Sequence, residues 1–201
     1  MIVGVKDGVL GVALVAALAL SLVGCGSVEQ QRESIRERLE APALAVFDLA
    51  EAAEGGDITG VRTYADMSAV GLAFARATMA RLDSDDETSS ASTVVSHGDG
   101  FPANAMEMTF AEQFTTAFFD AVESGTVVAE GTVLGAMLES GPGAVQYASD
   151  DEALVSVEVP GAEGAAVQTA RFRMARTGDR WMLIAVEETT DLYGLFFGTA
   201  Q

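Results

Sequence analysis

The segment Leu154-Val155-Ser156-Val157-Glu158-Val159 decides how the second half of this chain folds. Its residues alternate with a period of two, so the three valines point to one side of an extended strand and the residues between them to the other. The next segment, Ala170–Met174, alternates in the same way, with Ala170, Phe172 and Met174 on one face. Two neighbouring segments with this pattern predict paired strands that each bury one face.

A third alternating segment follows a turn signal. Thr177-Gly178-Asp179 is typical of a hairpin turn. The segment Trp181–Glu187 after it is predicted to return as a strand, with Met182, Ile184 and Val186 on one face. The end of the chain is therefore predicted to be an antiparallel meander.

Helical spacing dominates the residues before this meander. Three helices are predicted to begin at Pro42, Asp57 and Asp66, and a short fifth spans Thr132–Glu139. The fourth helix is predicted to carry on one face the residues Phe110, Phe114, Ala117, Phe118 and Ala121. Helices followed by a run of strands predict an α+β fold, with the N-terminal helices packed on one face of a C-terminal antiparallel sheet.

The polar segments of the chain indicate its organisation. Residues 25–40 are rich in Glu and Arg, which predicts a tether or a short exposed helix. We expect one α+β domain over residues 41–201, because that length buries a sizeable core. The acidic and serine-rich stretch at about 83–103 is expected to be a mobile loop within it.

The only cysteine, Cys25, directly follows an apolar run from Val9 to Val23. With Leu22, Val23 and Gly24 before it, this cysteine matches the lipobox of bacterial lipoproteins. A short apolar core and a small-residue cleavage site predict a signal peptide over residues 1–24 that is cleaved before Cys25. The alternative is an uncleaved membrane helix, although the apolar run is shorter than the ~20 residues that spanning requires.

Lipidation would explain a cysteine that has no disulfide partner in an exported protein. A diacylglyceryl thioether and an N-acyl chain such as palmitate would hold the protein at a membrane surface, because several acyl chains bind firmly where one binds marginally. The expected location is extracytoplasmic, at the cell membrane or at an outer membrane.

The charge of the chain excludes some partners. Its formal net charge is −19, and Lys6 is its only lysine. Such acidity opposes binding to nucleic acid, which requires a basic surface. Either a GC-rich genome or a salt-adapted source is consistent with this composition.

Few polar residues have the spacing of a catalytic or metal site. Asp57 and Asp66 could act as catalytic acids, but both stand where helices begin, and capping is the favoured explanation. His97 is the only histidine and lies beside glycine and serine in the expected loop, so no histidine-based metal cluster is expected. A calcium loop starting at Asp83 would need Gly and Glu where Thr88 and Val94 stand. The sequence therefore predicts no metal or other cofactor.

A row of aromatic residues could line an apolar pocket. Phe110, Phe114 and Phe118 recur on one face of the fourth helix, and Trp181 lies in the last strand. Core packing is the default explanation for such a row. The alternative is a cavity between helices and sheet that binds a small apolar ligand.

Two further features could contact a partner. Arg171 and Arg173 lie on the polar face of their strand, where pairing with the protein's own carboxylates competes with binding an anion. The apolar segment Leu192–Phe197 is expected either to dock as a last helix or to form an exposed contact patch.

Both ends of the domain resemble an uncharacterised bacterial family, a domain of unknown function found in secreted or membrane-anchored proteins. The resemblance lies in Ala45–Ala52, the Gly56-Asp57 break, the Tyr-x-Asp helix start in Tyr64–Val70, and the closing hairpin Arg173–Leu183, which restarts at a tryptophan. The hairpin is also similar to that of nuclear-transport-factor-two-like cone folds. The family has no established activity, so the resemblance implies an α+β fold and no catalytic residues.

These features favour a non-catalytic protein of the cell envelope that acts in binding or assembly, with an envelope protein as its partner. One alternative is a binder of a small apolar ligand in a cone-type pocket. The other is a cone-fold isomerase or hydrolase, which would require Tyr64, Asp66 or His97 to face a closed cavity.

Overall fold

The computed structural model describes residues 28–86, 103–160, 167–187 and 192–198, and the side chains of all of these except 80–86 and 103–104. The chain divides into two units, Met1–Arg38 and Leu39–Gln201. In the first unit, a helix (α1) covers residues 28–36, within the segment predicted as a tether or short helix.

The second unit contains six further helices and four strands among its described residues. The helices are α2 Ala41–Glu54, α3 Ile58–Tyr64, α4 Met67–Asp86, α5 Ala103–Ser124, α6 Val133–Ser140 and α7 Leu192–Phe197, with a 3-10 turn at Thr126–Val128. The strands are β1 Val145–Tyr147, β2 Glu152–Val159, β3 Gln168–Thr177 and β4 Arg180–Glu187.

The starts and ends of the helices lie at residues whose backbone conformation or hydrogen bonding favours them. Pro42 lies in the first turn of α2, where its missing N–H costs nothing. The helix ends at Gly55, and the following Gly56 has a φ of 67°, a left-handed conformation that glycine adopts without strain. At α6 the side chain of Thr132 accepts a hydrogen bond from the N–H of Gly135 at 3.1 Å.

A close approach between α4 and α5 depends on a glycine. A Cβ placed on Gly71 would lie 3.0 Å from the Cα of Ala111, so any larger residue would push the helices apart. One turn further along, Phe74 stacks on Phe110 with ring centroids 5.7 Å apart. The long helices are therefore joined by backbone proximity and ring packing.

The four strands form one antiparallel sheet in the order β1-β2-β3-β4. The predicted alternation is confirmed in β2 and β3, whose inward residues (Val155, Val157, Val159, Ala170, Phe172 and Met174) are buried. The predicted hairpin is also confirmed, since Thr177 pairs with Arg180 across a two-residue turn in which Gly178 has a φ of 64°.

The predicted inward face of β4 is confirmed at Val186 and wrong at Met182 and Ile184, because the strand contains a bulge. Arg173 pairs with Ala185 and Met174 pairs with Leu183, so Ile184 is an extra residue on β4. An extra residue reverses the alternation beyond it. Trp181, Leu183 and Val186 are consequently the buried residues, while Met182 and Ile184 are only partly buried.

The helices cover one face of the sheet, which confirms the predicted α+β fold. A single apolar cluster joins α2, α4, α5, α6 and α7 to the inward face of the strands. The boundary of the expected acidic loop differs, because α4 continues to Asp86 and α5 begins at Ala103. The rest of that loop, residues 87–102, lies outside the described residues.

Candidate functional site

A groove of about 330 Å³ opens where the end of α3 and the start of α4 meet α5 and β4. Its walls combine charged, hydroxyl and apolar side chains. The lining residues are Arg62, Ala65, Asp66, Met67, Ser68, Thr115, Phe119 and Met182.

The break between α3 and α4 is anchored to the sheet, and this anchoring positions the groove. The backbone N–H of Asp66 donates to the carbonyl of Leu183 at 2.9 Å, and Ala65 forms a parallel bridge with the same residue. The break thus adds two residues alongside β4. Covering an edge strand in this way satisfies backbone groups that would otherwise stay unpaired.

Asp66 caps α4 as its sequence position predicts. Its Oδ1 accepts a hydrogen bond from the backbone N–H of Ala69 at 2.9 Å. The carboxylate also benefits from the partial positive charge at the start of the helix. The residue is exposed at the mouth of the groove, and the capping bond uses only one of its two carboxylate oxygens.

Arg62 supplies the positive charge of the groove. It lies in the last turn of α3, where a cation complements the helix dipole. Its guanidinium carbon is 4.8 Å from the centroid of the Phe119 ring on α5, a cation–π contact. The contact places the guanidinium beside the groove, while Arg62 itself stays exposed.

The remaining walls are mostly apolar. Met67 is buried, and Phe119 and Met182 are partly buried. The Thr115 hydroxyl donates to the carbonyl of Ala111 at 2.7 Å, which leaves its oxygen able to accept. The exposed Ser68 adds a second hydroxyl at the rim.

The predicted pocket residues lie elsewhere. None of Phe110, Phe114, Phe118 and Trp181 lines this groove. Phe114 and Phe118 are fully buried and Phe110 is partly buried in the packed core, which matches the default explanation of the aromatic row. Trp181 is buried in the sheet with Tyr147 edge-on against it, the centroids 6.1 Å apart.

The apolar C-terminal segment completes this core by docking as α7. The Phe196 ring is fully buried and lies 5.5 Å from Phe118 and 5.8 Å from Phe114, edge to face in both pairs. It also stacks on Phe172 of β3 at 6.2 Å. Of the two expectations for this segment, the docked helix is confirmed; Tyr193 alone keeps substantial exposure, at 39%.

Asp57 occupies the N-cap position of α3 without a side-chain capping bond. Its carboxylate still lies against the first turn, because a Cβ on Gly60 would come within 2.5 Å of Oδ2. The predicted start of the helix is therefore right, and the predicted capping bond is absent.

The arginines of β3 lie on the exposed face of the sheet. Arg173 forms an ion pair with Glu187 of β4, through Nη2 and through Nε at 2.7 Å. Arg171 stands directly opposite the same glutamate in the strand register. Pairing with the protein's own carboxylates, one of the two expectations for these residues, thus holds for Arg173.

Several predicted features lie outside the described residues: the signal peptide 1–24, Leu22, Val23 and Gly24 with Cys25, and His97. Among the helices that are described, none has both the length and the apolar character needed to cross a bilayer. Within the same parts of the chain, no three His, Cys, Asp or Glu residues are grouped so as to hold a metal ion.

Comparison with protein-family models, curated proteins and solved structures gives no match for this chain. The resemblance to an uncharacterised envelope family and to cone folds therefore stays a prediction. What the chain does has to be argued from its own residues.

No pattern in the sequence predicts the groove as a whole. Arg62 and Asp66 are four residues apart, a spacing that could have suggested two charges near one helix break. Phe119, Thr115 and Met182 come from distant elements, and only the packing of α5 and β4 against that break brings them together.

Proposed function

We propose that this chain is a lipid-anchored extracytoplasmic protein whose folded unit is a non-catalytic binding module of the cell envelope. The observation that carries the anchor is Cys25, the only cysteine, placed directly after Leu22-Val23-Gly24 and an apolar run. A single cysteine at that position fits thioether lipidation, and no other feature of the chain explains its presence there.

The net charge of the protein supports the proposal that acyl chains, and not the folded unit, attach it to a membrane. A net charge of −19 repels anionic head groups, so the folded unit gains nothing from lying on a membrane. Acyl chains contribute ~0.8 kcal/mol for each buried CH₂, independently of that charge.

Lipid labelling tests the anchor. Cells expressing the full chain are fed a labelled fatty acid, and the protein is captured and its mature N-terminus read by mass spectrometry. We expect label on the wild-type chain and on a Ser27→Ala control, loss of residues 1–24, and no label on Cys25→Ser. Label on Cys25→Ser would reject the anchor.

The non-catalytic part of the proposal is supported by polar side chains that make structural contacts within the fold. Asp66 caps a helix, Arg173 pairs with Glu187, and Arg62 packs over Phe119. Capture of the lipidated chain from crosslinked, solubilised membranes should recover a stoichiometric envelope partner. Recovery of the chain alone would count against an assembly role.

The groove favours a second candidate, the binding of a small ligand. The aromatic row is packed into the core, so this candidate no longer rests on Phe110, Phe114, Phe118 and Trp181. It rests on a groove of about 330 Å³, which lies at the lower end of the ~300–1,000 Å³ typical of ligand sites.

A further inference from the structure

Two opposite charges line the groove without pairing with each other. Arg62 and Asp66 both border it, and no ion pair within 4.0 Å joins them in the described part of the chain. The groove therefore presents one cationic and one anionic group to whatever enters it.

Arg62 is held ready for a carboxylate. Its guanidinium carbon lies 4.8 Å from the centroid of the Phe119 ring, so the ring limits the positions that the side chain can take. A guanidinium offers five N–H donors in a planar fork that matches a carboxylate, and stacking on an aromatic face does not use them. Less freedom is lost on binding when the fork is already placed.

Asp66 is held ready for an ammonium group. One oxygen accepts from the N–H of Ala69, which fixes the side chain at the start of α4. Among the described residues the other oxygen has no hydrogen-bond donor, and the residue is exposed at the groove. A carboxylate oriented by one bond can accept a charge-assisted bond through its second oxygen.

The groove lining also contains apolar, adaptable side chains. Phe119 contributes a ring, and Met67 and Met182 contribute thioether side chains. Methionine fits substituents of different shapes because it is unbranched and polarisable. The volume of about 330 Å³ limits the occupant to a small molecule.

We propose that this groove binds a small zwitterion with an apolar substituent, namely a free amino acid. Its carboxylate pairs with Arg62, its ammonium group pairs with Asp66, and its side chain packs on Phe119 and the two methionines. The inference rests on the proposed binding role of the folded unit, and it does not depend on the lipid anchor.

Four related probes test the two charges separately. The full chain, purified in detergent, is titrated by calorimetry with L-phenylalanine, L-leucine, 3-phenylpropionate and 2-phenylethylamine. We expect saturable 1:1 binding of both amino acids. The analogue without an ammonium group and the analogue without a carboxylate should each bind at least about tenfold more weakly, because each loses one charge-assisted bond.

Matched variants assign each charge to its residue. Arg62→Gln should weaken L-phenylalanine at least about tenfold and leave 2-phenylethylamine unchanged. Asp66→Asn should weaken L-phenylalanine similarly and leave 3-phenylpropionate unchanged, since asparagine also caps helices and α4 should keep its start. Arg76→Gln, which removes an arginine paired with Glu107 at 2.9 Å outside the groove, is the control and should bind like wild type.

The inference is overturned if neither amino acid binds at concentrations up to about 10 mM, where even weak binding is measurable. It is also overturned if an analogue lacking one charge binds as tightly as L-phenylalanine, or if Arg76→Gln weakens binding as much as Arg62→Gln. A Cys25→Ser chain should bind the amino acids normally, so failure of the anchor and failure of this site give different results.

Discussion

Phe118 and Phe119 are adjacent on α5, and truncating each of them separates a core role from a site role. Phe118 is fully buried and contacts Phe196 at 5.5 Å and Phe114 at 6.4 Å between ring centroids. Phe119 is partly buried, lines the groove and lies under Arg62. The two substitutions remove the same atoms from different environments.

We expect Phe118→Ala to lower the free energy of unfolding by about 4 kcal/mol, within the ~3–5 kcal/mol typical of buried phenylalanines. For a chain of this length that corresponds to a fall in Tm of roughly 8–16 °C. Phe119→Ala should cost about 1 kcal/mol, from partial burial and the lost cation–π contact with Arg62. Phe118→Leu, which keeps most of the apolar volume, should cost about 1 kcal/mol and stay folded if the alanine variant does not.

Trp181 provides the assay, because it is the only tryptophan and is buried in the sheet. Urea unfolding of the full chain, followed by its fluorescence, gives the midpoint and slope for each variant. A loss below about 1 kcal/mol for Phe118→Ala would refute the core assignment, and would return Phe118 to the apolar pocket that the sequence allowed. Equal losses for Phe118→Ala and Phe119→Ala would contradict it too.

Two further predictions concern polar groups. Thr132 is fully buried, and its hydroxyl donates to the carbonyl of Ala129 at 2.7 Å and accepts from the N–H of Gly135 at 3.1 Å. Thr132→Val should therefore lower the free energy of unfolding by about 1–2 kcal/mol in urea titrations. Thr132→Ser, which keeps the hydroxyl, should cost less. Partial desolvation and the hydrogen bond and negative charge of Glu40 raise the pKa of Tyr147 above 10.0. The folded state favours the neutral phenol of Tyr147. The stability that this preference contributes is present below pH 10 and is lost as the pH rises through the higher folded pKa. Absorbance titration near 295 nm should show Tyr147 ionising late, and Glu40→Gln should lower its pKa; an unchanged titration would contradict the contact.

Residue chemistry alone predicted the local elements of this fold. Pro42 at the start of α2, Asp66 at the start of α4 and Gly178 in the hairpin act through backbone geometry within a few residues. The alternation of β2 and β3 predicted their buried faces for the same reason, because side-chain direction follows from the extended backbone itself.

The sequence also restricted the function without identifying a site. The position of Cys25 predicts a lipid anchor, and the net charge of −19 argues against binding to nucleic acid. Both inferences depend only on the composition of the chain and the order of its residues. The aromatic row on α5 left core and pocket open, because helical spacing marks a buried face without showing what covers it.

Only the tertiary structure decided the features that depend on distant surfaces meeting. The bulge at Ile184 decides which residues of β4 face inward, docking of α7 buries the aromatic row, and the Ala65-Asp66 break pairs with β4. That pairing, with α5 packed beside it, brings Arg62 over Phe119 and forms the groove. Local propensity acts over a few residues of chain, whereas the groove exists because of packing between elements that are far apart in sequence, so only the folded chain contains it.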